Sequence, residues 1–435
     1  MGQVVADVVN AQLQVVDGTL PLLMEKITTA TSKINEGIKR NKGAIKKISN
    51  QTFRIPVQTS RGGSFGGFSM ASGDMLLGTG AKFQQFTQTY FATKVGFQVD
   101  EETIETTEDS SQSLVNAMLL ASKTGIEEMA IDLDLAWHAT SQGLIATANA
   151  SSNTANSNTV TYTFKDNAFG CDLLRDQMPV NVYDNTVTLK SDTNQANCPT
   201  VTQIDKIGKT ALVSGGTAFT HAATDILAFQ MVSPGTPAFK HGLSYFNNVS
   251  ATTLLGLSTS TYPEILPNRV NAASTTIDPA YGLALKDQIR SRRGADAVMS
   301  GDLIGFAHMA QRAQVYKQQV AISEFYAESK NKPIDIMPIT GDDFVWCGVK
   351  IYVDERQNRS RVDLINTMKW GKANLFDPRF KRDKGTNRMW FELRGASGGV
   401  AAGYLMYVEE ASDWFCLDAG SQGYVDNLTV PSQYN

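Results

Sequence analysis

The sequence predicts an α+β fold, and three features of its pattern indicate this class. Residues 52–60 and 82–103 are dense in strand-forming side chains, and a 20-residue connection containing seven glycines joins them. Residues 110–140 carry the periodicity of one long amphipathic helix. Short strand-like runs fill residues 160–270, and separate helices and strands follow residue 278. Segregated runs of strands and helices are typical of α+β proteins.

Composition limits the classes of function. The chain has 435 residues, of which 42% are apolar and 19% charged, so wholesale disorder is excluded. The longest run of apolar residues and glycine, 399–408, is far shorter than the ~20 residues of a membrane span, and the N-terminus has no signal-peptide pattern. The net charge of −4 excludes a globally basic nucleic-acid binder. Four widely spaced cysteines favour reduced thiols.

Residues 1–50 are predicted to form an N-terminal arm. Between residues 26 and 54, eight basic side chains accompany one acidic side chain, so the local net charge is +7. Four of them repeat every seven residues, which would place them on one face of a helix. A solvated basic face and a surface for a polyanion or an acidic partner both explain this pattern. The basic residues are Lys26, Lys33, Lys39, Arg40, Lys42, Lys46, Lys47 and Arg54.

Residues 51–107 are predicted to form one long β-hairpin, with an outgoing strand at 52–60 and a return strand at 82–103. A compact domain rarely contains a 20-residue connection without secondary structure unless it has a function, so the glycine-rich tip is a candidate contact element. The tip residues are Arg61, Gly62, Gly63, Gly66, Gly67, Gly73, Gly78 and Gly80. An acidic run follows the return strand and forms a second candidate contact site. It contains Asp100, Glu101, Glu102, Glu105, Glu108 and Asp109.

The helix at 110–140 is expected to act as a strut, because ~1.5 Å per residue makes it about 45 Å long. Its apolar face includes Leu119, Ile126 and Leu133, and another face carries Lys123, Glu127 and Asp134. We expect a polar linker at 141–160 and a small barrel or sandwich at 160–270.

Two helices are predicted for residues 278–320. Asp278 caps the first and Gly294 ends it, and Ser300 opens the second, with Leu303 on its apolar face. Strands are expected at 344–346, 350–353 and within 387–417. The tail from Asp418 is predicted to be polar and extended.

Catalytic signals are weak. His138, His221, His241 and His308 stand in no metal-binding motif, so neither a metal nor another cofactor is predicted. Residues 395–399 fit G-x-S-x-G, which would make Ser397 a hydrolase nucleophile. That motif needs a helix after it and a later histidine, and here a strand pattern follows without a histidine. The sequence therefore predicts a protein that is not an enzyme.

In the order of these elements the chain resembles the tailed-phage major capsid proteins of the Hong Kong 97-type fold. The resemblance is carried by the architecture and by three stretches, residues 261–311, FVWCGVKIYVDERQ at 344–357, and residues 389–418. It implies an N-terminal arm (1–50), an extended hairpin or E-loop (51–107), a spine helix with linker of the peripheral domain (108–160), an axial domain (271–375), and return strands of the peripheral domain with a C-terminal tail (376–435). The β-rich segment 161–270 exceeds a minimal member and is expected to be an inserted small β-domain.

The resemblance implies a subunit that self-assembles as hexamers and pentamers into an icosahedral shell around double-stranded DNA. The implied partners are a portal and, where present, scaffolding and decoration proteins, with a virion location and assembly in the host cytoplasm. The acidic run then meets a basic patch of a neighbouring subunit, for which residues 369–394, with net charge +5, are a candidate. The basic arm faces either the genome or that acidic run. An encapsulin-type nanocompartment shell is the alternative, and a serine hydrolase at Ser397 is an alternative of another class.

Overall fold

The computed structural model describes residues 46–47, 52–60, 80, 82–100, 110–139, 143–152, 155–164, 171–191, 198–206, 208–230, 239–298, 303–327, 339–340, 343–385, 387–394 and 401–434. Its helices and strands confirm the α+β class. Short 3₁₀ turns lie at Pro263–Ile265, Ala295–Val298, Thr367–Lys369, Ala419–Ser421 and Ser432–Tyr434.

The hairpin forms a three-stranded antiparallel sheet. Its strands are β1 (Lys46–Lys47), β2 (Thr52–Ser60) and β3 (Lys82–Thr89), with β2 in the middle. Along β2, Phe53, Ile55 and Val57 are buried while the residues between them are exposed, as period-two alternation requires. The predicted strand at 52–60 is confirmed.

The predicted return strand at 82–103 is wrong in one respect, because it is two strands with a break at Tyr90. The second, β4 (Phe91–Asp100), leaves the hairpin and pairs along β21 (Ala401–Cys416). The other edge of β21 is shared by β19 (Trp370–Phe380) and β20 (Trp390–Arg394), which lie end to end. We call these four strands the peripheral sheet.

Helix α1 (Ser110–His138) lies against β4 and β21 of the peripheral sheet. Ile126 and Leu133 are buried as predicted, and the side chain of Leu119 lies outside the described residues. On the face predicted to carry Lys123, Glu127 and Asp134, the first two are exposed and Asp134 is buried. Asp134 has a basic partner from a distant part of the chain, which offsets the cost of burying its charge.

The β-rich segment forms a closed six-stranded barrel. The sheet order is β7-β10-β5-β6-β9-β8, and backbone bonds such as Val201 N to Met178 O (2.9 Å) join β8 to the segment before β7. The predicted linker at 141–160 is wrong, because most of this segment belongs to two strands of the barrel. Its sequence is polar because side chains alternate along each strand between the small barrel interior and the outside. The strands are β5 (Leu144–Ser151), β6 (Asn156–Phe164), β7 (Val180–Tyr183), β8 (Thr200–Asp205), β9 (Thr210–Thr220) and β10 (Ile226–Phe229).

A seven-stranded sheet occupies most of the remaining chain, in the order β13-β22-β18-β14-β17-β16-β15. The short helix α2 (Leu243–Phe246) and the pair β11 (Thr253–Leu254) and β12 (Leu257–Ser258) precede it. Its strands are β13 (Asn268–Thr275), β14 (Leu303–Ala307), β15 (Ile339–Thr340), β16 (Asp343–Trp346), β17 (Val349–Val353), β18 (Val362–Asn366) and β22 (Gly423–Leu428).

Two helices accompany this sheet. In α3 (Pro279–Arg293), Asp278 accepts a hydrogen bond from Ala280 N at 2.7 Å, and Gly294 ends the helix at φ 89°, both as predicted. The predicted start of the second helix is wrong. Residues 303–307 form the central strand β14, and α4 (Met309–Ala327) begins after it.

The tail from Asp418 is extended over residues 423–428, as predicted, but it is not a polar tail, because this segment is packed into a sheet. Residues 423–428 are β22, which lies between β13 and β18 in the seven-stranded sheet, with Val425 fully buried. The largest apolar cluster joins the hairpin, α1, the barrel and both sheets. At its centre the Trp137 ring contacts the rings of Trp370 (4.7 Å) and Trp414 (5.2 Å).

Candidate assembly surface

Most of the predicted contact residues lie outside the described residues. These are Lys26, Lys33, Lys39, Arg40 and Lys42 of the arm, residues 61–78 of the tip, residues 101–109 of the acidic run, and Ser397. Of the tip, Gly80 is described and exposed, and Asp100 is the last residue of β4, opposite Gly403. Lys46, Lys47 and Arg54 belong to the hairpin sheet.

The basic residues of the hairpin sheet are brought together by its register. Lys46 pairs with Arg54, and Lys47 with Phe53, so two basic residues oppose each other across β1 and β2. Like charges directly opposite are unfavourable in an antiparallel pair. Arg54 is exposed. This edge is therefore suited to an anionic partner.

The end of β3 nearest the tip is open to solvent. Lys82, Phe83, Gln84 and Gln85 are all exposed, and the Phe83 side chain is 61% exposed, whereas Val57 and Thr59 on the paired strand β2 are buried. Further along the strand, Phe86 and Gln88 are buried. Strand β3 thus runs from a packed base to an exposed end that carries an aromatic side chain.

The base of the hairpin is anchored by the buried Gln88 on β3. Its Nε2 donates to Asp413 Oδ2 (2.5 Å) and to Trp414 O (2.9 Å) on β21. The same Asp413 accepts from the backbone N–H of His241 (2.8 Å), and its Oδ2 is 2.7 Å from the His241 ring. A carboxylate with this many partners holds three separate chain segments in one geometry.

A second buried charge cluster lies on the same strand. Glu410 is fully buried, with Lys372 Nζ at 2.6 Å and the fully buried Lys240 Nζ at 3.7 Å. Burial would raise the pKa of Glu410, but Lys240 and Lys372 outweigh it and hold the pKa at about 2. Burial lowers the pKa of Lys240 to about 8 against the attraction of Glu410. Both groups are therefore ionised at neutral pH.

The basic patch at 369–394 is only partly available to a neighbour. Lys372 is committed to Glu410, and Arg379 pairs with Glu409 at 3.1 Å. Lys381 stands 5.5 Å from the centre of the Tyr407 ring, and Arg388 stands 4.7 Å from that of Trp390. The exposed members are Lys369, Arg379, Arg382 and Lys384.

Sequence reasoning missed a cluster that we call the charge quartet: Asp134 and His138 at the end of α1, and Asp354 and Arg356 in the turn after β17. Asp134 Oδ2 is 2.8 Å from Arg356 Nη1, and His138 Nε2 is 3.1 Å from Asp354 Oδ2. Asp134, His138 and Asp354 are buried. The four-residue spacing of Asp134 and His138, which puts both on one helix face, was the signal available in the sequence.

Three members of the charge quartet could each offer one metal-ligand atom, and these atoms lie within 4.8 Å of one another. Charge counting argues against a divalent ion. Arg356 already neutralises one of the two carboxylates, so a single proton on His138 brings the quartet to zero, whereas a divalent ion beside neutral His138 would leave a buried excess of +1. Uncompensated buried charge is costly.

The other histidine rings have structural partners. His221 Nδ1 lies 3.0 Å from Tyr162 Oη in the barrel, and His308 Nδ1 accepts from Ala310 N at 3.0 Å. With His138 bonded to Asp354 and His241 to Asp413, each of the four is part of a packed network.

No protein-family model and no curated protein matches the chain. Solved structures match over most of its length. The Cyanophage A-1(L) capsid asymmetric unit is 10% identical with a TM-score of 0.47, covering 92% of this chain and 93% of that chain. The satellite phage P4 procapsid is 10% identical with a TM-score of 0.37, covering 93% and 92%. The holo-SrpI encapsulin complex of Synechococcus elongatus PCC 7942 is 7% identical with a TM-score of 0.37, covering 80% and 78%.

These structures are two phage capsids and an encapsulin. Within the described part of the chain, no helix combines the length and apolar character needed to cross a membrane.

Proposed function

We propose that the chain is the major subunit of an icosahedral capsid, which assembles from hexamers and pentamers and encloses double-stranded DNA. The observation that carries this proposal is the hairpin, whose base is locked to the peripheral sheet through Gln88 and Asp413 and whose strand β3 is exposed from Lys82 to Gln85 near the tip. A sheet of three strands is stable when it has an apolar face, which β2 supplies through Phe53, Ile55 and Val57. An uncovered end with an exposed Phe83 is suited to a neighbouring copy.

The rest of the architecture suits a shell subunit. Helix α1, 29 residues long, stiffens the peripheral sheet beneath the hairpin. We assign the arm to residues 1–50, the hairpin to 51–107 and the inserted barrel to the β5–β10 region. The axial domain then contains β13–β18 together with β22, and the peripheral domain contains α1, β4 and β19–β21. A portal, scaffolding or decoration proteins, a virion location and assembly in the host cytoplasm belong to the same proposal.

Deletion of residues 62–80 tests the hairpin contact. We expect a folded subunit with an unchanged melting temperature that no longer forms regular particles by electron microscopy. Phe83→Ser is the matched point variant, because an exposed side chain contributes little to the subunit's own core. Normal particles from both variants would show that the hairpin does not join neighbours. Extraction of DNA from purified particles supports a capsid, whereas a protein cargo without DNA points to an encapsulin.

Replacing Lys39, Lys42, Lys46 and Lys47 together by Gln tests the basic arm. We propose that the arm faces the interior and attracts phosphate without reading sequence. Particles that assemble but contain little DNA are the expected result. Failure to assemble would indicate instead that these lysines pair with the acidic run, Asp100 to Asp109, of a neighbour. Salt distinguishes the same alternatives, because it should release DNA from intact shells in the first case and weaken the shell itself in the second.

A further inference from the structure

The charge quartet joins two parts of the fold that are far apart in sequence. Asp134 and His138 occupy the last turn of α1, which lies on the peripheral sheet. Asp354 directly follows β17 of the seven-stranded sheet, where its N–H donates to Ala307 O at 2.9 Å. The quartet therefore spans the junction between the long helix and the seven-stranded sheet.

The turn on the sheet side is shaped by the quartet itself. Asp354 Oδ1 accepts the N–H of Arg356 at 2.9 Å, while Oδ2 faces the His138 ring. This arrangement leaves Arg356 pointing at Asp134 across the junction. Asp134 Oδ1 has no hydrogen-bond partner among the described residues, so the attraction across the junction is carried by the two ion pairs.

Burial raises the pKa of Asp134 to about 6; above that pH both carboxylates are ionised, and the quartet is neutral only while His138 carries a proton. Two carboxylates are then balanced by one guanidinium and one imidazolium. When the imidazole is neutral, a net charge of −1 remains in a buried site, where it is much more costly than at the surface.

Other charged groups nearby do not compensate for this loss. Glu355 pairs with Arg356 Nη2 at 3.2 Å from the solvent side and adds negative charge. His308 lies near enough to Asp354 for the two to interact electrostatically, but burial lowers the pKa of His308 to about 4, so it is neutral at physiological pH. Asp172 and Arg359 beyond it form their own bidentate pair.

We propose that the charge quartet is a proton-dependent clamp, which holds the end of α1 to the seven-stranded sheet while His138 is protonated and loosens when His138 loses its proton. For an assembled particle this rests on the proposed function, since the junction would then set the angle between the peripheral and axial parts of each subunit. The clamp itself is a property of the single subunit.

The direction of the pH dependence follows from the surroundings of His138. Burial favours the neutral ring, but Asp354 and Asp134 outweigh it and raise the pKa of His138. A histidine with a raised folded-state pKa stabilises the fold below its unfolded value of about 6.5. That stabilisation is lost as pH rises through the folded-state pKa. The clamp is therefore tight below about pH 6.5 and loosens as the pH rises through the folded-state pKa of His138.

Melting temperatures of the full-length subunit at pH 6 and pH 9 test the clamp. Asp134→Asn removes one carboxylate without changing shape, so the remaining quartet is neutral with an unprotonated His138. We expect the shift in melting temperature between the two pH values to be smaller by several degrees in Asp134→Asn and in His138→Gln than in the unmodified protein. The control is Asp225→Asn, which removes an equally buried carboxylate in the barrel and should retain the original shift.

Hydrogen exchange of the unmodified protein provides a second readout that needs no variant. After correction for the intrinsic effect of pH, amides of residues 130–139 should exchange at least tenfold faster at pH 9, while those of the barrel strand β9 should not. An unchanged pH shift in Asp134→Asn, or equal protection of 130–139 at both pH values, would overturn the proposal. So would a melting temperature that responds to added zinc chloride and to EDTA, because an ion rather than a proton would then close the clamp. None of these measurements requires particles, so a failure of the proposed function leaves them interpretable.

Discussion

Gly125 lies in the middle of α1, where alanine is the better helix former, yet we expect Gly125→Ala to destabilise the subunit. A Cβ at this position would stand 2.4 Å from Cδ1 and 2.5 Å from Cε1 of Phe97 on β4. Carbon atoms in favourable contact are about 3.5–4.0 Å apart. The Phe97 ring is itself set edge-on against Phe380 at 6.4 Å, which limits how far it can retreat.

Two opposing contributions decide the magnitude. Alanine in place of glycine in an exposed helix gains about 1 kcal/mol, and overpacking a filled site typically costs about 1–3 kcal/mol. The net change should therefore be a loss of up to about 2 kcal/mol in the free energy of unfolding. Urea denaturation with an unchanged m-value would measure it.

The Phe97→Ala background supplies the control for this prediction. With the ring removed, Gly125→Ala should gain about 1 kcal/mol, as in an exposed helix. The sign change between the two backgrounds is the diagnostic, and it corresponds to a coupling of at least about 1 kcal/mol between neighbours. A stabilising effect of Gly125→Ala in both backgrounds would show that α1 does not lie on β4 in this register.

Two further substitutions probe the core and the buried charges. Leu133→Ala should lower the free energy of unfolding by about 2–5 kcal/mol, because this side chain lies on the buried face of α1 and is only 7% exposed. An unchanged urea midpoint would contradict the packing of the helix. Glu410→Gln leaves Lys240 buried without its charge partner and should cost about 3–5 kcal/mol at pH 7. The pKa of Glu410 is held at about 2 against an ordinary value of 4.5. The stability difference between the unmodified protein and Glu410→Gln should therefore persist down to about pH 4.5 and disappear as pH falls through 2. A difference between the two proteins that is already lost at pH 5 would contradict the ion-pair assignment.

Local signals in the sequence were sufficient for several elements. The run of strand-forming residues at 52–60 predicted the bounds of β2. Asp278 and Gly294 predicted both ends of α3, because a side-chain cap and a left-handed glycine are determined by a few neighbouring residues. The amphipathic period of residues 110–140 likewise predicted α1 and its buried face, but it did not predict that Asp134 is buried.

The errors arose where distant pairing decides the structure. Leu303, Phe306 and Ala307 fit the apolar face of a helix, but five residues are also enough for a buried strand, and pairing with β17 and β18 selects the strand. The break at Tyr90 is likewise set by two different partners, β2 before it and β21 after it. The charge quartet joins Asp134 to Arg356 across 222 positions, a pairing that no local pattern contains.

The C-terminal strand explains how the two sheets stay together. β18 runs through a 3₁₀ turn at Thr367–Lys369 into β19, and β21 returns through a 3₁₀ turn at Ala419–Ser421 into β22. Since β18 pairs with β22 and β19 with β21, an antiparallel pair passes from one sheet into the other. Leu417 N bonds Lys369 O at 2.8 Å, and Trp370 Nε1 bonds Gln422 Oε1 at 2.6 Å, at this crossing.

This double crossing and the charge quartet constrain the sheets in different ways. The crossing is covalent and carries buried hydrogen bonds, so it keeps the sheets attached at every pH at which the fold persists. The quartet links α1 to the turn after β17 through ion pairs, whose strength depends on one proton. Loss of that proton can therefore change the angle between the peripheral sheet and the seven-stranded sheet without separating them.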